Sequence, residues 1–591
     1  MSVWVLDTEC YVDFFLVMLR DIESGRAWET EMFPGSPPFS CVPLHMTVVT
    51  FNGNNYDFPI LSLAFAGADN ATLKAASDDI ILRNMKPWDI RDKYGGVPLD
   101  HIDHIDMIEV APGQCGLKAY GGRLHSRKLQ DLPIDPSASI SPEQRVQLRE
   151  YCGNDLQITE DLYRKLKPQI DLRASMSAEF GIDLRSKSDA QIAEAVIRKE
   201  VERSLGYRVY RPDINPRYRF NYRVPSFIAF SSPGMNQALD IIRAAEFTLD
   251  HNGAVVMPKH LASMRLRIGN GVYQMGIGGL HSTESSVCHR ADATTKLRDI
   301  DATSFYPNII LTQQLYPAHL GPAFLSVYRD IVDRRVAAKR AGDSVTNEAL
   351  KVVINGGFGK FGSMWSVLYS PDLMIQVTLT GQLALLMLIE LIESIGVPII
   401  SANTDGIVVK CPTNRTEEVN AIIAAWEIVS GLATEETEYA ILAAKDVNNY
   451  IAIKTDGEAK QKGIYAFVGS KKSELEKNPT NQVCIDAVVA YLGKGVPIEG
   501  TVLSCMDIRR FLSTRAVKGG ATYDGKYLGK NVRWYYGTGE KHVIEYTTNG
   551  NKVARSDGAV PCMGLPESIP LDLDYDWYIE EARAIMGDVG L

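Results

Sequence analysis

Residues 399–410 read IISANTDGIVVK, and this stretch carries the strongest single indication of the fold. Two apolar runs rich in isoleucine and valine flank Asn403, Thr404, Asp405 and Gly406, which is the composition of a tight turn between two strands. The pattern predicts a β-hairpin with the carboxylate of Asp405 at its tip. An aspartate in such a place is most often a turn former, so its meaning depends on the other segments that accompany it.

Two segments upstream accompany it. Residues 300–307 read IDATSFYP and contain a second aspartate, Asp301, and residues 351–360 read KVVINGGFGK. Carboxylates that hold two divalent ions about 3.5–4 Å apart form the usual site of metal-assisted phosphoryl transfer. The order of the three segments predicts such a site at Asp301 and Asp405. It also predicts that a helix between them in the sequence binds a nucleotide.

Together the three segments resemble motifs A, B and C of family B DNA polymerases, which read D-x-x-S-L-Y-P, K-x-x-x-N-S-x-Y-G and Y-x-D-T-D-S. Here they read DATSFYP, KVVINGGFG and SANTDG, in the same order over about 105 positions. The resemblance implies template-directed DNA synthesis from deoxynucleoside triphosphates on a primed template. It also implies two Mg²⁺ ions per active site, with Mn²⁺ as a substitute, and a right-hand architecture of palm, fingers and thumb.

A basic helix between these segments completes the implied nucleotide site. Residues 324–341 have a helical pattern with several arginines and lysines, and a second helix after the turn at 342–344 places Lys351, Asn355 and Phe358 on one face. Tyr306 resembles the aromatic residue that excludes a ribose 2′-hydroxyl. The implied nucleotide-binding residues are Ser304, Phe305, Tyr306, Arg335, Lys339, Lys351, Asn355 and Phe358.

The first 170 residues contain a second group of acidic residues. An apolar strand pattern at 3–6 is followed by Asp7 and Glu9, which fall on the same face of a strand. Another strand pattern at 46–51 precedes Asp57, and a helical pattern places Tyr151 and Asp155 one turn apart. The spacing predicts a second metal site.

This second set resembles the three exonuclease motifs of DEDD nucleases in their tyrosine form. The resemblance makes Asp7, Glu9, Asp57 and Asp155 the metal carboxylates and gives Tyr151 the orientation of the attacking water. It implies an RNase H-like 3′–5′ proofreading exonuclease domain. Asp103 and Asp106 lie nearby and receive no firm role; exposed carboxylates in turns are at least an equal alternative to a functional role.

Candidate DNA contacts lie in three further segments. The glycine-rich residues 276–282 resemble a loop that contacts the template strand, although a plain flexible loop is an equal alternative, and residues 445–463 match basic segments near the primer. Residues 515–536 mix cations with aromatic residues, as in a duplex-binding thumb, although packing of an aromatic β-structure is the alternative. The implied DNA-binding residues are Gly278, Gly279, Tyr450, Lys460, Lys462, Lys530 and Arg533.

The chain departs from the family pattern at several positions. Asn403 replaces the first aspartate of motif C, and glycines occupy positions 356 and 357 of motif B. Only 54 residues separate Asp301 from Asn355, and 48 separate Asn355 from Asn403. These intervals leave no room for the insertions of protein-primed phage enzymes, so the chain resembles a compact, phage-type member and no terminal-protein primer is expected.

Bulk properties set the limits of the prediction. A chain of 591 residues exceeds one hydrophobic core and predicts about three to five domains. The net charge of −10 argues against a general nucleic-acid coat but not against a polymerase, because phosphate contacts depend on local basic clefts. The nine cysteines form no C-x-x-C pair, and no signal peptide is recognised, which predicts a cytoplasmic protein, in the host cytoplasm if the source is a phage. The apolar run at 383–395 is predicted to be a buried helix, so no membrane partner is expected.

The predicted fold class is α/β and α+β multidomain. The predicted division is an exonuclease domain at 1–172, a connecting region and start of the palm at 173–285, palm at 286–322, fingers at 323–364, palm at 365–470 and thumb at 471–591. Expected partners are primed DNA, deoxynucleoside triphosphates and replisome proteins such as a helicase, a primase and a single-strand binding protein, with the chain itself a monomer in the replication of a phage or virus.

Two other functions fit parts of the sequence. A 3′–5′ exonuclease with an inactive polymerase half would keep residues 1–170 and is expected to lose Asp301 or Asp405, which are both present. A non-enzymatic replication scaffold would need no paired carboxylates at either site.

Overall fold

The computed structural model describes the chain except residues 1, 38, 40–45, 216, 467–472 and 541. The protein is a mixed α/β multidomain chain with two compact units. Unit 1 comprises Met1–Ser188, Val468–Val483 and Leu503–Tyr578. Unit 2 comprises Asp189–Phe467, Cys484–Val502 and Ile579–Leu591.

A five-stranded sheet forms the centre of the first part of unit 1. In spatial order its strands are Ala27–Met32, Phe15–Asp21, Val3–Cys10, Thr47–Thr50 and His104–Asp106. The middle strand, Val3–Cys10, pairs antiparallel with Phe15–Asp21 and parallel with Thr47–Thr50. Because apolar side chains of these strands enter two separate buried clusters, the sheet is covered on both faces.

Helices cover this sheet. The longest, Pro142–Phe180, begins with a capping box in which Ser141 and Gln144 exchange hydrogen bonds, and it ends at Gly181 in the left-handed conformation. It confirms the helix predicted around Tyr151. The other helices of unit 1 are Asp57–Phe65, Asn70–Arg83, Pro87–Tyr94, Met107–Val110, Leu117–Arg123, Ser473–Glu476 and the 3₁₀ turn Ile508–Phe511.

A second sheet of unit 1 has four strands. Their order is Glu545–Tyr546, Ser513–Tyr523, Lys526–Tyr536 and Ala559–Pro561. Lys530 is exposed on it, but Arg533 is fully buried and donates to the carbonyl oxygens of Cys562, Ser126 and Met563 at 2.8, 2.9 and 3.3 Å. The predicted DNA contact of Arg533 is therefore wrong, because its guanidinium satisfies backbone carbonyls in the interior of unit 1.

The main sheet of unit 2 has ten strands. Its central strand, Thr295–Ala302, lies between Gly406–Pro412 and Thr434–Asp446 and is antiparallel to both. The hairpin predicted at 399–410 is confirmed, and Leu266–Ile268 forms another antiparallel pair with Gly271–Met275. In spatial order the strands are Ala459–Gln461, Asn449–Lys454, Thr434–Asp446, Thr295–Ala302, Gly406–Pro412, Ile399–Asn403, Leu280–Ser282, Gly271–Met275 and Leu266–Ile268, and Ser285–Arg290 pairs with Thr434–Asp446.

The remaining elements of unit 2 are a small sheet and several helices. The small sheet contains Arg219–Asn221, Glu246–Leu249 and Val255–Val256. The helices are Asp189–Leu205, Pro233–Ala244, Lys259–Ala262, Phe305–Thr312, Pro322–Ala341, Ser344–Gly359, Pro371–Ser394 and Thr416–Ser430, with 3₁₀ turns at Lys360–Gly362, Thr413–Arg415 and Gly463–Tyr465. In each of three further helices, Gln482–Lys494, Ile498–Ser504 and Tyr575–Asp588, the chain passes from one unit to the other.

The most apolar helix is Pro371–Ser394, which extends the run predicted at 383–395. Within the described part of the chain it alone has the length and composition to cross a membrane, and 89% of its most apolar window is buried inside the protein. Its Glu390 carboxylate accepts hydrogen bonds from the backbone N–H groups of Ser231 and Ser232 at 2.7 and 3.0 Å. The predicted buried helix is therefore confirmed, and its buried charge is satisfied by backbone donors.

Pro322–Ala341 and Ser344–Gly359 form a helical hairpin, as predicted from residues 324–359, and a third helix braces it. Asp189–Leu205, from the region that carries no sequence motif, packs against the hairpin helices. A Cβ atom on Gly356 would come within 2.7 Å of the Asp189 carbonyl oxygen. Gly356, which stands where motif B has a serine, therefore has a packing reason: a neighbouring backbone lies too close for a side chain.

We predict that Gly356→Ala destabilises unit 2, whereas Gly359→Ala in the same helix does not. The added methyl at 356 meets backbone atoms that cannot move aside, which costs about 1–3 kcal/mol, while a Cβ at Gly359 meets no atom within 4 Å. Thermal and urea denaturation of the two variants provides the measurement. Equal melting curves for both variants would contradict the close approach of the third helix.

Candidate active sites

The register of two strands places Asp301 beside Asp405 in unit 2. Asp301 pairs with Gly406 across Thr295–Ala302 and Gly406–Pro412, and the Ala302 N–H donates to the Asp405 carbonyl oxygen at 2.8 Å. A Cβ on Gly406 would lie 2.0 Å from the Asp301 Oδ1 atom. Glycine at 406 thus leaves room for the Asp301 carboxylate directly beside the turn that carries Asp405.

Both carboxylates line a cavity of about 390 Å³. Burial and the neighbouring Asp299 raise the pKa of Asp301 to about 6, against the opposing effect of Lys460. Burial also raises the pKa of Asp405, which Lys462 and Lys460 oppose. Crowded carboxylates with raised pKa values favour a bound cation, since a cation removes their mutual repulsion.

Asp299 is a carboxylate of this site that the motif comparison does not include. It is buried, accepts a hydrogen bond from the Tyr439 hydroxyl, and lies 2.8 Å from the Lys460 Nζ atom. The same Nζ atom is 3.8 Å from the Asp301 Oδ2 atom. The sequence signal was present, because Asp299 and Asp301 are two residues apart on a strand, the same spacing that relates Asp7 to Glu9.

The turn at Asn403 uses an amide where the family pattern has a carboxylate. The Asn403 Nδ2 atom donates to the Val447 carbonyl oxygen at 2.9 Å, and its Oδ1 atom accepts from the Thr404 hydroxyl at 3.0 Å. Thr404 itself has a left-handed φ of 55°. An ionised carboxylate cannot donate to a carbonyl. The Asn403 amide can, and it therefore links its turn to residues 447–448 where an aspartate could not.

Tyr306 and Phe358 form an aromatic pair at the mouth of the helical hairpin. Their ring centroids are 4.4 Å apart, and the Tyr306 hydroxyl donates to the Gly278 carbonyl oxygen. Gly279, the next residue, lies against Thr404. A Cβ atom on Gly279 would lie 3.0 Å from the Thr404 Cα atom. The glycine-rich turn therefore lies close to the Asp405 turn and fixes the orientation of the Tyr306 ring.

The basic residues of the hairpin occupy different places. An Arg335 guanidinium nitrogen donates to the Ser304 hydroxyl at 3.1 Å, which brings motif A and the hairpin together. Lys339 lies 3.8 Å from Glu435, and Lys351 lies 3.7 Å from Glu348; both lysines are exposed. Asn355 is exposed on the same helix as Lys351.

Phe305 corrects one sequence prediction. Its side chain is buried, and its ring packs where a Cβ on Gly381 of helix Pro371–Ser394 would be only 2.8 Å away. Phe305 therefore belongs to the core under the site, and direct contact of its side chain with a nucleotide is excluded. Its ring centroid lies 5.5 Å from that of Tyr306, so the buried ring packs beside the Tyr306 ring.

The predicted primer-side residues line the same cavity as the carboxylates. Tyr450, Lys460 and Lys462 all lie there, together with Asp301 and Asp405. Burial raises the pKa of Tyr450 to about 12, with Lys460 opposing. Lys530, by contrast, is located in unit 1.

A second acidic site lies in unit 1. Asp7 and Glu9 project from Val3–Cys10, Asp57 begins the helix Asp57–Phe65, and Tyr151 and Asp155 lie on Pro142–Phe180. Asp7 and Asp57 line a cavity of about 610 Å³. Ligand atoms of Asp7, Glu9 and the unpredicted Cys152 lie within 4.8 Å of one another.

Burial dominates the electrostatics of this second site. It raises the pKa of Asp7 to about 6, and burial together with Asp7 raises the pKa of both Glu9 and Asp57 well above the usual range. The Thr8 hydroxyl donates to Asp57 at 2.6 Å, and the Cys152 thiol lies 3.5 Å from an Asp7 carboxylate oxygen. The carboxylate oxygens match the ligand preference of a hard divalent ion.

Lys118 supplies the positive charge of the second site. It forms an ion pair with Asp155 and lies 4.2 Å from the centre of the Tyr151 ring. Burial lowers the pKa of Lys118 to about 8, although Asp7 and Glu9 oppose the shift. The sequence motifs of the second site do not include this lysine.

The nearby carboxylates Asp103 and Asp106 have structural partners. Asp106 is not an exposed turn carboxylate: it is buried and accepts from the backbone N–H groups of Asn52 and Asn54 at 2.7 and 2.9 Å. Asp103 pairs with Arg185 at 2.7 Å. Asp106 therefore shapes the loop that leads to Asp57.

Comparisons with known proteins add a fold likeness. No protein-family model matches the sequence, and no curated protein matches it. Among solved structures, the chain resembles the family B DNA polymerase of the hyperthermophilic archaeon Pyrobaculum calidifontis, with a TM-score of 0.41 and 14% sequence identity over 100% of this chain and 78% of that chain. A likeness of this size carries no argument about this chain.

Proposed function

We propose that the chain is a DNA polymerase that extends a primed template from deoxynucleoside triphosphates and removes nucleotides from the 3′ end. The observation that carries the proposal is the placement of Asp301 beside Asp405, in one cavity with Lys460 and Lys462. Two adjacent carboxylates, a half-buried Asp301 and an exposed Asp405, with cations beside them suit the transfer of a phosphoryl group.

The donor set of the first site fits Mg²⁺, or Mn²⁺ in its place. Asp301 and Asp405 offer carboxylate oxygens, and their pKa values are raised chiefly by burial, so a bound cation would favour their charged forms. Two such ions, when bound, lower the pKa of the primer 3′-hydroxyl and neutralise the triphosphate. Lys460, held by Asp299, keeps positive charge beside Asp301.

The helical hairpin is proposed to hold the incoming nucleotide. Arg335, Lys339 and Lys351 provide cations for the triphosphate, and Asn355 and Phe358 face the nascent base pair. Tyr306 packs on Phe358 and is tethered to Gly278, so its ring has a fixed position from which to exclude a 2′-hydroxyl. The buried ring of Phe305 packs beside the Tyr306 ring from the core side.

The site of unit 1 is proposed to be the proofreading exonuclease. Asp7, Glu9, Asp57 and Asp155 would hold its divalent ions, and Tyr151 would orient the attacking water. Lys118 balances this acidic cluster through Asp155. The short intervals between motifs support a role in the replication of a phage or viral genome; the replisome partners, the monomeric state and the cytoplasmic location stay predictions.

The polymerase proposal predicts that Asp301→Asn and Asp405→Asn each abolish primer extension. Each change removes a charge at the reacting centre, and a loss of at least about a hundredfold is expected. Extension of a labelled primer provides the measurement, with Asp456→Asn, an exposed turn carboxylate, as control. Normal extension by either variant would reject the site, and degradation without extension in the parent chain would favour an exonuclease with an inactive polymerase half.

The exonuclease proposal predicts that Asp7→Ala combined with Glu9→Ala stops 3′–5′ degradation while extension continues. The reason is that these carboxylates belong to unit 1 and Asp301 to unit 2. Degradation of a labelled single strand is measured, and Glu150→Ala serves as control because Glu150 is exposed next to Tyr151. Unchanged degradation by the double variant would place the nuclease elsewhere, and absence of both activities in the parent would favour the scaffold.

The amide at 403 leads to a prediction opposite to the family pattern. Restoring the family residue with Asn403→Asp should lower extension by about five- to a hundredfold, because the Val447 carbonyl loses its donor and faces a carboxylate, a cost of about 1–3 kcal/mol. Asn403→Ala loses the hydrogen bond without adding a charge, so its extension activity should lie between those of the parent and Asn403→Asp. Equal or higher activity of Asn403→Asp would show that a carboxylate at 403 is productive.

A further inference from the structure

Residues 203–223 of unit 2 form an arginine–tyrosine segment that lies outside the polymerase and exonuclease motifs. Its 21 residues contain six arginines, four tyrosines and a single acidic residue, in a chain whose net charge is −10. Such a local excess of cations and aromatic rings is unusual for a connecting region. The combination of cations and exposed aromatic planes is the composition of surfaces that bind single-stranded nucleic acid.

The backbone of the segment is held at two places, next to Tyr210, where the Val209 N–H donates to a Glu202 carboxylate oxygen at 3.1 Å, and at residues 222–223. Arg223 exchanges two backbone hydrogen bonds with the Gln376 side chain at 3.1 and 2.6 Å, and the buried Tyr222 hydroxyl lies 3.0 Å from the Thr380 hydroxyl. Tyr207 and Tyr210 are 61% and 70% exposed. Exposed rings on an anchored backbone lose little conformational freedom when a base stacks on them.

Four of the six arginines form two contrasting pairs. Arg203 and Arg219 form ion pairs with Glu200 and Glu246. Arg211 and Arg217 are exposed and, among the described residues, neither forms an ion pair with a carboxylate. The second pair therefore keeps its positive charge for an external anion.

Trp365 extends this surface toward the helical hairpin. Its indole is 75% exposed, and the Arg211 guanidinium lies 5.2 Å from the ring centre. The residue lies in the loop after Ser344–Gly359, the helix that carries Asn355 and Phe358. An exposed indole next to a free guanidinium presents a stacking plane and a phosphate contact side by side.

We propose that the arginine–tyrosine segment and Trp365 bind single-stranded nucleic acid, and that the bound strand is the unpaired template ahead of the nascent base pair. Phosphates contact Arg211 and Arg217, and unpaired bases stack on Tyr210 and Trp365. A paired duplex keeps its bases inside the helix, so it gains nothing from these rings. The assignment of the strand as template rests on the proposed polymerase function, whereas strand binding itself does not.

The test measures binding of the full chain to a fluorescent 20-nucleotide oligo(dT) and to a blunt duplex of equal length, in EDTA. Tyr210→Ala combined with Trp365→Ala should weaken oligo(dT) binding at least about tenfold and duplex binding less than twofold. Arg211→Ala combined with Arg217→Ala should reduce the slope of log K against log salt by about 1.4 for the oligonucleotide.

Arg203→Ala combined with Arg219→Ala is the matched control, since it removes the same charge from the same segment at ion-paired positions. It should leave the oligo(dT) affinity within twofold of the parent. Equal losses for control and test variants would overturn the proposal, as would unchanged binding of the test variants. Retention by vesicles containing phosphatidylserine, without any binding of oligo(dT), would also overturn it in favour of a membrane surface.

A second measurement separates this inference from the proposed function. Oligo(dT) binding by Asp301→Asn should equal that of the parent, because binding in EDTA requires no chemistry. If the parent binds oligo(dT) through these residues but extends no primer, the polymerase proposal fails and the surface stands. If the parent extends primers, the Tyr210→Ala, Trp365→Ala variant is compared on templates with a long or a two-nucleotide overhang. Equal extension efficiency on both templates would overturn the template assignment.

Discussion

The register between Thr295–Ala302 and Gly406–Pro412 is the constraint on which the rest of unit 2 depends. A shift by one residue would turn Asp301 to the opposite face of the sheet and separate it from Asp405. The register is held by the length of the ladder and by the small volume of Gly406, which admits the Asp301 carboxylate. The strand Thr434–Asp446 then adds Tyr439, and the following strands add Tyr450 and Lys460, so one alignment assembles the whole cavity.

The two acidic sites reach similar electrostatics from different scaffolds. Each has carboxylates whose pKa values are raised by burial, and each has one lysine close to an acidic partner: Lys460 beside Asp299 and Lys118 beside Asp155. In a partly buried cluster of like charges, an uncompensated carboxylate is costly. A lysine reduces this cost while leaving carboxylate oxygens free for metal ions. Both lysines therefore have an electrostatic role within their own site.

The helical hairpin shows how a departure from a family pattern can follow from packing. The region 171–290 carries no metal motif, yet it provides the helix Asp189–Leu205 that lies against Gly356. Glu194 of this helix pairs with Lys360 at 3.1 Å and accepts from the Val367 N–H at 2.8 Å. The helix thus holds both the end of the hairpin and the loop that carries Trp365.

The sequence by itself determined the features that depend on local spacing. Asp7 and Glu9 share a strand face, Lys351 and Asn355 share a helix face, and the Asn403–Gly406 turn joins two strands, because these relations follow from the periods of regular structure. Only the tertiary structure decided what depends on distant partners. It buried Arg533 against the Ser126 and Cys562 carbonyls, placed Phe305 in the core, brought Asp299 to Lys460, and set the Asn403 amide against Val447. These contacts join residues from 29 to more than 400 positions apart, and no periodicity within one element specifies which distant backbone or side chain will meet it.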